Sequence, residues 1–71
     1  MVEYQGKQYD NPRWFYTGMK VFGPPIIRDD KICHPAAVVV QAAGDTALVR
    51  NRNGVEQWAE KWDLLIPIAN G

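Results

Sequence analysis

"AAVVVQAAGDTALVRNRNGVEQW", residues 36–58, decides the fold of this 71-residue chain. The β-branched run at 36–42 predicts a central strand, "AGD" predicts a turn, and "TALVRNR" at 46–52 predicts the next strand. Asn53-Gly54 predicts a two-residue type I′ hairpin turn, because that turn requires positive φ at both central positions. The segment "VEQWA" at 55–59 then returns antiparallel to the strand before it.

The predicted turn sets the register of this hairpin. With Asn53 and Gly54 as the two turn residues, Val49 faces Trp58. Because side chains alternate between the two faces of a strand, the predicted register places Ala47, Val49 and Trp58 on one face. The opposite face holds two arginines, so we expect the first face to be the core face. The other face is predicted to point outward, and it holds Leu48, Arg50, Arg52, Val55, Gln57 and Ala59.

Shorter signals flank this stretch on both sides. Met19–Phe22 predicts a short strand that "GPP" closes, since proline cannot donate a ladder hydrogen bond. "IIRDDKICHP" at 26–35 has no sustained alternation and predicts a long loop. "EKWD" at 60–63 predicts one 3₁₀ turn, and "LLIPI" at 64–68 predicts a last short strand.

Composition narrows the class of protein. The chain is 46% hydrophobic, carries eight basic and eight acidic residues, and therefore has a formal net charge of zero. A neutral chain disfavours nucleic acid as a partner, because phosphate neutralisation usually needs a basic excess. No apolar run approaches a membrane span, no signal-peptide core is visible, and a lone cysteine suits a reducing compartment. These features predict a cytoplasmic protein with no membrane association.

The order of these elements resembles the SH3-like small β-barrels, including KOW and Tudor-type domains. The segments that carry the resemblance are "GMKVFGP", "AAVVVQAAGDTALVRNRNGVEQW" and "EKWDLLIPI". It covers 17–68 and implies an all-β barrel of about five short antiparallel strands, with a 3₁₀ turn before the last strand. An N-terminal extension at 1–16 and a tail at 69–71 complete the predicted organisation. The resemblance implies fold more than function, because small barrels host unrelated tasks.

A more distant likeness is to the type II dihydrofolate reductases, small barrels of this kind that work as tetramers. A "V-Q-I-Y" segment lines their active pore, and Val55, Glu56, Gln57 and Trp58 correspond to it here. Only the valine matches in place. The likeness implies a barrel that assembles, and it leaves an oligomeric reductase as one alternative function.

Trp58 and Trp62 are the aromatic residues with two competing interpretations. The first places them in the core, with one tryptophan inside the barrel and the other covering its open end, since large aromatics dominate small cores. The second is a partly exposed aromatic cage with Tyr16 or Trp14, of the kind that Tudor-type domains use for methylated cations.

Arg50 and Arg52 also have two interpretations. They belong to a solvated strand face with Glu56 and Glu60 as counter-charges, or they contact phosphates together with lysines and an arginine elsewhere. The additional cations would be Lys20, Arg28 and Lys31. Zero net charge favours the solvated face, so nucleic-acid binding is kept as an alternative function.

Candidate catalytic groups are few. Cys33 and His34 are adjacent in an extended segment, so their side chains point apart, and a nucleophilic cysteine needs a base within hydrogen-bond reach. The pattern therefore favours a structural or incidental role for this pair, and a metal site shared across a subunit interface is the remaining alternative. The aspartates sit in turn-like polar surroundings, where catalytic pKa tuning is not expected, and the chain contains no serine. The sequence therefore predicts no catalytic residue, no cofactor and no metal site.

The sequence as a whole predicts a non-enzymatic interaction module that self-associates and binds another protein. A short chain without disulfides has a thin core, and assembly would supplement it. The predicted partner-binding residues are Leu48, Arg50, Arg52, Val55, Gln57 and Trp62.

Overall fold

A computed structural model describes residues 2–68, and they form an all-β structure. The strands of this part of the chain are β1 (Val2–Tyr4), β2 (Lys7–Asp10), β3 (Lys20–Phe22), β4 (Ile26–Arg28), β5 (Lys31–Cys33), β6 (Ala36–Ala43), β7 (Thr46–Asn51), β8 (Glu56–Glu60) and β9 (Ile66–Pro67). A 3₁₀ turn, Lys61–Asp63, lies between β8 and β9. The predicted tail at 69–71 lies outside the described residues.

All strand pairs are antiparallel, and they form three sheets. The largest has the order β3-β6-β7-β8, and the smaller ones have the orders β1-β2-β9 and β4-β5. The predicted all-β class and the 3₁₀ turn are confirmed, and the predicted strands agree within one or two residues. The expected number of about five strands is wrong: residues 2–68 contain nine, and they do not close into a barrel.

Part of the extra strand content comes from a hairpin in the segment that was predicted to be an extension without clear period. β1 and β2 are joined through Gln5 and Gly6, which have φ of 52° and 77°. Positive φ at two consecutive positions is the geometry of a tight type I′ turn. β2 also pairs with β9, where Tyr9 lies opposite Pro67, and Tyr9 is buried. The N-terminal hairpin therefore packs onto β9.

The segment at 26–35 is a second hairpin, so the prediction of a long loop there is wrong. β4 and β5 are joined by Asp29 and Asp30, with φ of 53° and 61°. Aspartate tolerates the left-handed region because its short side chain can bond locally to the backbone. Two aspartates thus form the type of turn that the sequence analysis assigned to Asn53-Gly54.

The β7–β8 hairpin has a three-residue connection instead of the predicted two. Gly54 N donates a hydrogen bond to Asn51 O at 3.0 Å, and Asn51 N donates to Val55 O at 3.0 Å. Gly54 has a φ of 82°, whereas Asn53 is not in the left-handed region. The Asn51 side-chain oxygen also accepts hydrogen bonds from the backbone N–H groups of Asn53 and Val55. This arrangement is a tight turn followed by one left-handed glycine.

The longer connection shifts the predicted register of β8 by one residue. Leu48 lies opposite Trp58, and Ala47 lies opposite Ala59. A one-residue shift moves every side chain of a strand to the other face. The predicted facing of β8 is therefore wrong: Ala59 points inward and Trp58 points outward. Gln57 lies opposite Val49 and does not share the face of Leu48. The inward facing of Ala47 and Val49 is confirmed, since both are buried.

The core lies under the four-stranded sheet. Its buried members are small or branched aliphatic residues, namely Val21, Val39, Ala47, Val49, Ala59 and Leu64. Leu65 is also buried, and it joins the sheet to the segment that leads into β9: Phe22 N donates to Leu65 O and Leu65 N donates to Phe22 O, both at 2.8 Å. These bonds curl β3 toward β9.

Candidate interaction surfaces

All three tryptophans of the chain lie on the surface. The exposed fractions are 67% for Trp14, 53% for Trp58 and 65% for Trp62. The expectation that one of the two tryptophans, Trp58 and Trp62, lies inside the core is therefore wrong. The Ala47–Ala59 pair occupies the inner face of the hairpin, so the core is built without an indole ring.

The outward face of the four-stranded sheet is the first candidate surface. We call it the sheet face, and its members are Lys20, Val38, Leu48, Arg50, Glu56 and Trp58. One row crosses all four strands, because Lys20 lies opposite Val38, Val38 opposite Arg50, and Arg50 opposite Glu56. A second row on the same face contains Leu48 and Trp58. Val38 and Leu48 thus lie on the two middle strands, Trp58 lies on the edge strand β8, and the charged side chains lie along one row.

An ion pair organises one corner of the sheet face. Arg50 Nε donates to Glu56 Oε2 at 2.9 Å, and the side chains are 51% and 35% exposed. An exposed pair of this kind contributes about 0–1 kcal/mol to stability. Its main effect here is to hold both charged groups at defined positions.

The sheet face contains a shallow depression of about 380 Å³. The side chains around it are both apolar and cationic: Lys20, Phe22, Ala36, Val38, Arg50 and Arg52. Arg52 belongs to the β7–β8 turn and borders the depression from there.

The second candidate surface is a groove of about 470 Å³ between the end of β2, the segment that leads into β3, and β9. We call it the aromatic groove, and its lining residues are Asp10, Asn11, Arg13, Trp14, Tyr16, Met19 and Ile66. Trp14 and Tyr16 are 67% and 58% exposed. An aromatic surface with charged groups at its margin is the composition of many protein-binding sites.

Asn11 holds one wall of the aromatic groove in place. Its Nδ2 donates to Leu64 O at 2.9 Å and to Trp62 O at 3.3 Å. The next residue, Pro12, is fully buried. The segment that carries Trp14 is thereby anchored to the 3₁₀ turn and to the strand after it.

The third candidate surface is an exposed apolar pair on the β4–β5 hairpin. Ile27 and Ile32 face each other across the two strands and are 79% and 64% exposed. The charged tip of this hairpin pairs Arg28 with Lys31.

The six predicted partner-binding residues do not form one surface. Leu48 and Arg50 share the sheet face, and Arg52 borders its depression. Val55 and Gln57 lie instead beside a small cleft with Ile26. The sixth, Trp62, lies in the 3₁₀ turn, where the Nζ atom of the neighbouring lysine is 4.5 Å from the ring centroid.

Trp14, Tyr16 and Trp58 are exposed, as the alternative of a partly exposed aromatic cage required, although none of them is among the predicted partner-binding residues. The dense aromatic run "RWFY" was the available signal for the first two. For Trp58 the signal was the small residue Ala59 beside it, since a tight core accepts an alanine next to Ala47 more easily than an indole.

The one histidine lies near the N-terminal hairpin. The backbone N–H of His34 donates to Tyr4 Oη at 2.9 Å, and the two rings meet edge to face with centroids 5.0 Å apart. Burial lowers the pKa of His34 below its ordinary value of 6.5, and the Asp63 carboxylate opposes that shift. Within residues 2–68 no group of three or more histidine, cysteine or acidic side chains could hold a metal ion.

Comparison with protein-family models, curated proteins and solved structures found no match. Among the described residues no helix is long and apolar enough to cross a membrane.

Proposed function

We propose that this chain is a non-enzymatic interaction module that self-associates and also binds another protein. The observation that carries the proposal is the exposure of all three tryptophans, at 53% to 67% of their surface. Tryptophan and tyrosine are enriched at interface hot spots, where they supply large contact areas. Exposed apolar patches on a small domain mark interaction sites or aggregation hazards.

The size of the chain supports self-association. A domain of 71 residues buries only about 60% of the surface of its unfolded chain, so its stability margin is small. Its core consists of valine, alanine and leucine. A partner that binds only the folded state adds stability by mass action. A second copy of the chain is such a partner, and it is present wherever the protein itself is present.

We further propose that the fold is a variant of the SH3-like small barrel. Three features support this: the β3-β6-β7-β8 order, the backbone bonds from Phe22 to Leu65, and the 3₁₀ turn before the last strand. The β4–β5 hairpin would then occupy the place of the long loop between the first two barrel strands. Solved coordinates that superpose β3, β6, β7, β8 and β9 on such a barrel would test this.

In this proposal the two surfaces have separate tasks. The sheet face serves self-association, because its charged side chains lie along one row and its apolar side chains lie beside them. The aromatic groove serves a second protein, because Trp14 and Tyr16 flank a concave site with Asp10 and Arg13 at its margin.

Molar mass by light scattering across a concentration series tests self-association. The Trp14→Ala variant is the matched control, because it removes an exposed indole from the other surface (67% exposed, against 53% for Trp58). We expect Trp58→Ala to lower the association of the chain and Trp14→Ala to leave it unchanged. Equal masses for all three proteins, at the monomer value throughout, would remove the proposal of self-association.

Nucleic-acid binding is a second candidate function, and one observation favours it. Lys20, Arg50 and Arg52 border the same depression, which would place three cations beside apolar surface. Binding to phosphates releases counterions, so affinity must fall steeply with salt concentration. Titration of a single-stranded oligonucleotide at two salt concentrations tests this, and an affinity without salt dependence excludes the phosphate contacts.

A further inference from the structure

We propose that the sheet face docks onto the sheet face of a second copy of this chain, about a two-fold axis that runs along the strands. The inference rests on the proposed self-association and specifies its surface and its symmetry. Two-fold dimers use the same patch on both subunits, so the patch must be complementary to itself.

The order of charges in one row supports this axis. The row runs Lys20, Val38, Arg50, Glu56 across the sheet, so a cation lies at the β3 end and an anion at the β8 end. A two-fold axis along the strands places β3 of one copy over β8 of the other and keeps each row on its own level. Lys20 then faces Glu56 of the partner subunit, and the reciprocal contact forms at the other end.

The alternative in-plane axis, perpendicular to the strands, is unfavourable for the same row. It places each strand over its own copy, so that the β3 edges of the two subunits, each with its exposed Lys20, meet each other, as do the β8 edges. Like charges placed opposite each other across an interface disfavour that arrangement. The charge order therefore selects between the two symmetries.

The second row adds complementarity of shape. Trp58 is the largest side chain of the face and lies on β8, at one end of this row. Gly18 lies just before β3 at the opposite edge of the sheet, and its N–H donates to Val39 O at 2.8 Å; beyond its chain neighbours, no heavy atom lies within 4 Å of where its Cβ would be. The two-fold axis along the strands brings the indole of one copy toward the β3 edge of the other, where Gly18 adds no side chain.

The area of the face bounds the strength of the dimer. Four strands spaced about 4.8 Å apart, with about 3.3 Å per residue along the six residues of β7, give a footprint of roughly 400 Å² per subunit. The total of about 800 Å² is about half of a standard interface. We therefore expect a dissociation constant in the micromolar range or weaker, and a monomer–dimer equilibrium that depends on concentration.

Charge reversal tests the pairing directly. Lys20→Glu places two glutamates against each other twice per dimer, and Glu56→Lys does the same with two lysines. Each variant alone should bind itself at least about tenfold more weakly than the wild type, because two attractive contacts become repulsive. An equimolar mixture of the two variants should dimerise again, since both contacts of the mixed dimer pair a glutamate with a lysine.

Lys31→Glu is the matched control. It makes the same charge change on an exposed lysine, but on the β4–β5 hairpin. Its self-association should equal that of the wild type. If Glu56→Lys fails to fold because it loses the ion pair with Arg50, the comparison of Lys20→Glu with Lys31→Glu still tests whether the sheet face forms the dimer interface.

The outcomes separate this inference from the proposed function. A wild type that stays monomeric removes the self-association itself. A wild type that dimerises while Lys20→Glu and Lys31→Glu dimerise equally well leaves self-association in place and overturns the sheet-face pairing. A mixture of Lys20→Glu and Glu56→Lys that stays monomeric, with both variants folded, overturns the two-fold axis along the strands.

Discussion

Gly23 lies where the structure leaves no room for a side chain, and Gly23→Ala tests the packing that supports both surfaces. A Cβ atom at this position would lie 2.5 Å from the backbone oxygen of Asp63 and 3.2 Å from Nδ1 of His34. The residue also has a φ of 111°, which side chains rarely adopt. The backbone strain alone costs about 1–3 kcal/mol, and the contact with a backbone oxygen forces the 3₁₀ turn to move.

We expect Gly23→Ala to lower the free energy of unfolding by about 3 kcal/mol or more. At this chain length each kcal/mol corresponds to roughly 4–8 °C in Tm, so the expected drop is about 12–24 °C. Thermal denaturation followed by circular dichroism measures it. Gly54→Ala is the matched control, because Gly54 has a φ of 82° but no atom within 4 Å of its Cβ position. It carries only the strain of the left-handed region, about 1 kcal/mol.

A Gly23→Ala protein as stable as the Gly54→Ala protein would refute this reasoning. It would mean that β3 does not approach the 3₁₀ turn as closely as the structure has it. The curl of β3 toward β9 would then be wrong as well.

Three further predictions concern the register, a turn and the histidine. Ala59→Asp should unfold the protein, because it places an unpaired carboxylate in the core, whereas Trp58→Asp should stay folded. A folded Ala59→Asp protein and an unfolded Trp58→Asp protein in circular dichroism would instead support the register of the two-residue turn. Asn51→Ala should cost about 1 kcal/mol in chemical denaturation, because two backbone N–H groups lose their acceptor, and Asn51→Asp should retain most of that stability. Burial lowers the pKa of His34, so below the unfolded-state value of 6.5 the unfolded chain binds more protons and stability falls with falling pH. The change in Tm between about pH 7.5 and about pH 5.5 should be smaller in His34→Gln, and equal changes in both proteins would count against the buried ring.

The sequence predicted strands correctly where the residues that favour a strand are also residues that can be buried. The valine run became β6, "TALVRN" became β7, and the 3₁₀ turn formed where four polar and aromatic residues precede "LLIPI". In β6 and β7, the strand-favouring residues Val39, Ala47 and Val49 also face the core. Nothing in the tertiary structure competes with that preference.

The turns were harder to predict because the same residues support more than one geometry. Asn-Gly suits a type I′ turn, but Asn51 two positions earlier offers a side-chain oxygen to Asn53 and Val55. That acceptor stabilises the longer connection and so shifts the register. The turn at Asp29 and Asp30 was missed because aspartate enters the left-handed region less readily than glycine, so the pair carries a weaker signal.

The candidate surfaces were only partly predictable for the same physical reason. Leu48 and Arg50 keep their outward direction in either register, because β7 itself is not shifted. Trp58 changes face with the register, and the aromatic groove depends on contacts between Asn11 and Leu64 that lie far apart in sequence. Long-range contacts of that kind leave no local pattern.

The measurement that tests the central claim most directly is the molar mass of the wild-type chain in solution, by size-exclusion chromatography with light scattering, from a few micromolar to about one millimolar. We predict a mass near 8.1 kDa at the lowest concentration and a rise toward twice that value at the highest. A mass of 8.1 kDa at every concentration would contradict self-association and leave the exposed tryptophans to a different partner.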